Sequence, residues 1–453
     1  IFHKKISNKV RKNKIFKKIL SRFTIEYLDD FNYLKKNFFF KWLVLFCIFL
    51  PKAILLAIKT RKKKLLNKSL TWKEYQIYHA IWDTAIKNSN DGVINPSFYN
   101  LVLASIVAQY NIFEAKISLG INTKHFFLAH SVYGSRAFLA EVRKKGINIF
   151  CHSGFTIYRQ YLNRDNSWCF IKKKVFRKIS KNKEKKEIEK YWNLRQKGKG
   201  NYEDSRIAAN IKNKIKSNYK NIIFLHIFRD SPFADIDRNR IFADYISWIE
   251  QTLDILKFSK EDWLLRLHPS YKRWGENQHT TLNKIISRNF NGELPKNIRI
   301  EDNVNSNYEI LKNAKRVVTF NGTSHLEAAC YGIKSIIISD AMLSKLDNKL
   351  IFKPNSKNIY DKLLLGNSNV DIFKLNKNQI NFAKKVMYIR EKALKFETEV
   401  GGFHIFTRDS ESKRKEDFNQ TKNKLKNNIN FLEQNGKLLV NDNDITLSKD
   451  FIQ

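Results

Sequence analysis

Cysteine is scarce in this chain: four in 453 residues, at Cys47, Cys151, Cys169 and Cys330. None belongs to a C-x-x-C pair, so the sequence offers no disulfide framework and no cysteine zinc site, and it suits a reducing cytosol. Finger spacings, an RNP-like aromatic pattern, a convincing recognition helix and internal repeats are missing too. Acidic residues are in deficit, with 43 Asp and Glu against 84 Lys and Arg and a formal net charge of +41. Most of the basic residues are lysine, and Asn and Ile are also abundant. AT-rich coding produces that mix without selection for a partner. Nucleic-acid readers favour Arg for bidentate contacts. The lysine bias and the missing motifs argue against a nucleic-acid partner, and the charge suits an anionic membrane surface or a phosphorylated substrate.

Apolar residues are plentiful, at 43%, so the chain is built to fold. Its length exceeds one ordinary core and predicts two domains with appendages. Residues 1–70 read as a basic, hydrophobic, membrane-associating extension. Within it, "FFFKWLVLFCIFLPKAILLAIKTRKKK" (38–64) is long enough to span a bilayer. Lys41 and Lys52 interrupt it, however, and Pro51 breaks it. Lysines flank both ends, which fits an interfacial or re-entrant anchor on an anionic cytoplasmic leaflet; a buried helical hairpin is the alternative.

Residues 71–215 predict an N-terminal Rossmann-like domain and a linker. "NPSFYNLVLASIVAQYNIFEAKI" reads as a long helix from near Pro96. "HFFLAH" is a strand, "RAFLAEVRKKG" a helix closing at Gly146, and "INIFCHSG" the next strand, making one β-α-β unit. The charged stretch 171–217 predicts a solvated helical connection. Residues 216–374 alternate strand and helix through "NIIFLHIF", "DWLLRLHP", "NIRI", "RVVTF" and "KSIIIS", which predicts a second, doubly wound domain. Residues 375–453 begin with a helix, "QINFAKKVMYIREKAL", and continue as a polar tail.

Open parallel sheets bind ligands beyond the carboxyl ends of their strands. The notable polar residues of this chain fall there: His130, then His226 with Arg229 and Asp230, then His268-Pro269, then Asn321-Gly322-Thr323-Ser324. Gly322 lets a ligand approach the backbone, and Thr323 and Ser324 precede a helix whose N–H groups favour phosphate. Glu327 is one turn further on, placed to accept from a sugar hydroxyl or to close a capping box with Ser324. His268 at a strand end can donate to a phosphate oxygen, and Pro269 stiffens its turn. The bland reading of each is a cap or a strand terminator.

Taken together, "RLHP" and "TSHLEAACYGIKSIII" resemble the nucleotide-sugar half of capsular polysaccharide biosynthesis glycosyltransferases. That group includes the Kdo transferases, and it is similar to HP-motif bacterial sialyltransferases. "IIFLHIFRDSP" and "HFFLAHSVYGSRAFLAEVRKKGINIF" also look like this group, and the resemblance covers roughly residues 72–370. It implies a GT-B-like α/β fold, with two Rossmann-like doubly wound domains facing a cleft. It also implies a CMP-activated acidic sugar as donor, its phosphate held by His268 and the Thr323/Ser324 loop, and a glycan or glycolipid acceptor. His226, Asp230, Pro269, Asn321, Gly322 and Glu327 complete the expected donor site. The acidic Gly motif that carries the base in the sialyltransferases has no clear match, Asn90-Asp91-Gly92 being the nearest. Inverting transfer needs a base for the acceptor hydroxyl, and His130 and Asp83 are the candidates. No cofactor or metal is expected. Asp235-Ile236-Asp237 imitates a metal-binding D-x-D but reads as a solvated acidic pair. The expected location is cytoplasmic, peripheral to the inner membrane. A non-catalytic scaffold of polysaccharide assembly or export is the competing function.

Overall fold

The computed structural model describes most of residues 38–397; residues 1–37, 398–453 and several internal stretches, chiefly 161–184 apart from Phe176, 201–206, 212–218 and 230–240, lie outside the described residues. The first unit opens with α1 (Phe38–Lys62), a short hairpin of β1 (Thr71–Trp72) and β2 (Tyr75–Gln76), then α2 (Tyr78–Lys87) and α3 (Phe98–Ser118). Ser97 caps α3, its hydroxyl accepting from the Asn100 N–H, so the helix starts just after the Asn-Pro that heads its pattern. β3 (His125–Leu128), α4 (Ser135–Lys144) and β4 (Asn148–Ser153) follow, and β3 and β4 pair in parallel as the β-α-β reading requires. Gly146 adopts a positive φ of 69° two residues beyond α4, where a side chain would be strained.

The chain then turns back on itself. β5 (Thr156–Gln160) pairs antiparallel with β4, which the sequence reading, ending its strand at Gly154, did not include. The first sheet is therefore mixed, with order β12-β5-β4-β3, where β12 is Phe396–Glu397 from the tail.

The second unit is a six-stranded, wholly parallel sheet of β6 (Asn221–Phe224), β7 (Trp263–Arg266), β8 (Ile298–Glu301), β9 (Arg316–Thr319), β10 (Ser335–Ile337) and β11 (Ile351–Phe352). Its spatial order, β8-β7-β6-β9-β10-β11, is 3-2-1-4-5-6 in chain terms, the Rossmann order. Side chains alternate between two buried faces. Ile223, Leu265 and Val318 face α6 (Tyr245–Leu256), α7 (Gln278–Phe290) and α10 (Lys357–Leu364); Ile222, Leu264 and Val317 face α8 (Asn307–Asn313) and α9 (Ser324–Cys330). Burial on both faces is what makes these strands continuous apolar runs. Two α/β units, the second in Rossmann order, make the fold GT-B-like.

Two elements expected at the margins belong to cores. α1 buries Phe49, Ala53, Leu56 and Ala57 in one cluster with residues of α2 and α3. The charged connection contains α5 (Lys185–Gln196), which is not wholly solvated: Ile188, Tyr191 and Trp192 join α9 and α11 (Lys377–Tyr388) in a further cluster. Period-3.6 apolar positions hidden among lysines carry that face. From α11 the chain crosses back to place β12 on the first sheet.

Candidate functional site

The switch point of the second sheet lies between β6 and β9, the first and fourth strands. Register fixes what stands there. Phe224 pairs with both Arg266 of β7 and Thr319 of β9. Two residues beyond those partners come His226, His268 and Asn321, so three adjacent strands present them side by side at their carboxyl ends. Strand spacing puts the outer two backbones roughly 10 Å apart, with His226 between.

His226 is the hinge of this row. Its N–H donates to the Tyr245 hydroxyl, and its carbonyl accepts from Gln278 Nε2 at 2.6 Å. A Cβ at Gly322 would sit 2.9 Å from Nε2 of His226, 3.0 Å from Oγ1 of Thr319 and 3.2 Å from Oγ of Ser324. Three polar side chains thus close around one bare α-carbon. A side chain at 322 would force the His226 ring to shift. Thr319 Oγ1 also donates to the Phe224 carbonyl at 3.3 Å, tying β9 to β6 below the loop.

His268 is half-buried. Its N–H donates to Gln278 Oε1 at 2.8 Å, and its Nδ1 accepts from the Ser270 N–H at 3.2 Å. An accepting Nδ1 puts the proton of the neutral ring on Nε2, which makes that nitrogen the donor. Pro269 occupies the turn between them, where its missing N–H costs nothing. The strand-end histidine is therefore held in one orientation by its own turn.

Gln278, fully buried, was not among the sequence candidates. One amide satisfies the His268 N–H and the His226 carbonyl together, locking two strand ends with one side chain. Glu276, also missed, accepts from the Phe228 N–H at 2.9 Å and the Arg229 N–H at 2.8 Å. Burial pushes its carboxyl pKa up, and those N–H groups and Arg229 pull it back. The signal for both was faint: polar residues at the start of a helix pattern, which surface helices also show.

His325 is the third missed residue. It is buried, its Nδ1 hydrogen-bonded to the Gly322 carbonyl, and burial lowers its pKa to about 4. The ring is neutral near pH 7 and pins the loop from beneath.

No known protein family matches this chain, and no curated protein matches it. Two solved structures are similar in part. One is the Thermosulfurimonas dismutans KpsC, a beta Kdo 2,4 transferase, 8% identical with a TM-score of 0.34 over 62% of this chain and 85% of that one. The other is the Methanocaldococcus jannaschii UDP-GlcNAc 2-epimerase, 13% identical with a TM-score of 0.32 over 65% of this chain and 81% of that one. At such scores the likeness says nothing of chemistry.

The other expected residues divide. Asn321, Gly322 and Thr323 are half-buried on the loop and Ser324 is buried. Thr323 is the N-cap of α9 and makes no side-chain cap bond, so the Ser324–Glu327 capping box does not form. Glu327 points into the interior, 3.1 Å from Arg195 Nη2, because a helix position three after Ser324 turns toward the α5 face and a buried carboxylate needs a cation. Asp83 is fully buried as well, on α2, 3.7 Å from Arg136. His130, Asp230, Asp91 and the Asp235/Asp237 pair lie outside the described residues. No group of three or more His, Cys, Asp and Glu among the described residues is placed to hold a metal.

The two units meet beside this row. Arg229 Nη1 donates to the Ser89 carbonyl at 2.6 Å, and the Gly92 N–H donates to Thr281 Oγ1 at 3.1 Å. The segment after α2 therefore abuts α7, the helix that supplies Gln278.

Proposed function

We propose that this protein is a glycosyltransferase of surface (capsular) polysaccharide biosynthesis. It takes a sugar from a nucleotide-activated donor, a CMP-linked acidic sugar by the motifs it resembles, and passes it to a glycan or glycolipid acceptor with inversion and without a metal. The observation that carries this reading is the row His226–His268–Asn321 with the Gly322 loop at the Rossmann switch point, the place where such sheets receive a nucleotide. His268 Nε2 and the Ser324 hydroxyl supply hydrogen bonds to the donor phosphate, and these strengthen as charge accumulates on the departing nucleotide. His226, packed on Gly322, sets the height of the loop. His130 takes the acceptor proton as base, with the buried Asp83 the second candidate. The enzyme works at the cytoplasmic face of the inner membrane.

Thermal melting with CMP-, UDP- and GDP-sugars tests the reading. A CMP-sugar at a hundredfold excess over its Kd stabilises by about 2.7 kcal/mol. A melt that no nucleotide sugar moves overturns it and favours a non-catalytic scaffold.

A further inference from the structure

We infer that the outward face of α1 is a docking surface for an anionic lipid interface, entered sideways and not crossed. The helix is apolar on two sides. Its inner side packs Phe49, Ala53, Leu56 and Ala57 against α2 and α3, and Gln109 on α3 donates to the Phe49 carbonyl at 3.3 Å. The outer side carries Ile48, 61% exposed, and Leu55, 53% exposed, with Pro51, Ile54 and Ile58 around them. At about 3.6 residues per turn, Ile48, Pro51, Leu55 and Ile58 form one continuous strip. Lys52 and Lys59 line one border of the strip and Arg61 the other, all exposed. The whole helix contains no acidic residue.

Water is a poor partner for such a strip. A second protein surface would leave the bordering cations without matching charge unless it were acidic. An anionic headgroup layer meets both needs: acyl chains take Ile48, Leu55 and Ile58, while the lysine stems reach back to phosphate. Spanning is a different matter. No helix among the described residues is long and apolar enough to cross a membrane, and the inner face of α1 is already committed to α3. Pro51 sits on the outer side, exposed within the strip. The inference makes specific the membrane location proposed above, and its test reads no turnover.

The experiment uses the full chain and sedimentation with vesicles of phosphatidylcholine alone or mixed with phosphatidylglycerol, at physiological salt. Wild type is expected in the pellet with the mixed vesicles and in the supernatant with phosphatidylcholine. The double variant Ile48→Glu, Leu55→Glu is expected to lose binding at least tenfold. Phe258→Glu, which changes another exposed apolar residue, 70% exposed and far along the chain, is expected to bind within about twofold of wild type. A double variant that sediments like wild type overturns the proposal, since other basic segments then carry the binding. So does a wild type that ignores both vesicles. Gel filtration without lipid closes the last alternative: a wild-type dimer made monomeric by the double variant would show that a second copy covers this face. A null nucleotide melt with intact vesicle binding would fault the donor reading alone.

Discussion

Gly322 and His226 touch where two loops meet, and that contact is open to a small test. Gly322→Ala places a methyl 2.9 Å from the His226 ring, whose tip can move, so the fold should survive with a cost of about 1–2 kcal/mol. The displaced imidazole should weaken nucleotide-sugar binding in the melting assay by tenfold or more, with the circular dichroism unchanged. His268→Ala should remove a charge-assisted contact on the order of 1.5–3 kcal/mol. Because that contact tightens on the departing phosphate, turnover should fall more than donor affinity, which steady-state kinetics and ligand melts read separately. His325 gives a pH dependence. Its pKa is about 4 in the folded protein and 6.5 ordinarily, so the unfolded chain takes the proton first as pH drops. Its contribution is complete above about pH 6.5 and is lost as pH falls toward 4, up to roughly 3 kcal/mol. Urea melts at pH 7 and pH 4.5 should show a smaller pH penalty for His325→Gln than for wild type.

Elements are joined by a buried ionic knot beneath the site. Arg195 of α5 meets Glu327 of α9 and Glu391 just past α11, each at 3.1 Å, and donates to the Tyr308 hydroxyl of α8 at 2.7 Å. Tyr191 donates to Glu391 at 2.8 Å. Four helical segments thus share one guanidinium. Arg195→Ala would strand two carboxylates in the interior and should cost about 3–5 kcal/mol, measured by denaturant unfolding. Replacement of Arg195, Glu327 and Glu391 together by apolar residues should recover much of that loss. None of this could be read from "EKYWNLRQKGKG" or "HLEAAC" separately. Each charge looks like a solvated face until packing supplies its partner.

At the scale of the molecule, the first and second units are pinned by short polar contacts beside the switch point and by the tail strand β12 on the far sheet. Arg229→Ala removes the bond to Ser89 while leaving the strand ends intact. Hydrogen exchange should rise in residues 86–92 and in the start of α7, and the nucleotide melt should change by less than about 1 kcal/mol.

The sequence by itself determined the α/β class, the parallel run of the second unit and the strand ends where polar residues collect. It could do so because those features are local: an apolar run four or five residues long, a helix period and a glycine after it are each encoded by neighbours. It also held the α3 start at Pro96-Ser97, a capping signal within four residues. The Rossmann order itself, and with it the meeting of His226 and Gly322 across a switch point, came from tertiary structure, since strand adjacency is decided between segments nearly a hundred residues apart. The same holds for Gln278, which bonds two strand ends, for Asp83 and Glu327, which are buried against Arg136 and Arg195, and for α1, whose inner face found α3. A side chain's reach toward solvent or core depends on which surface arrives opposite it, and that is settled only when the cores close.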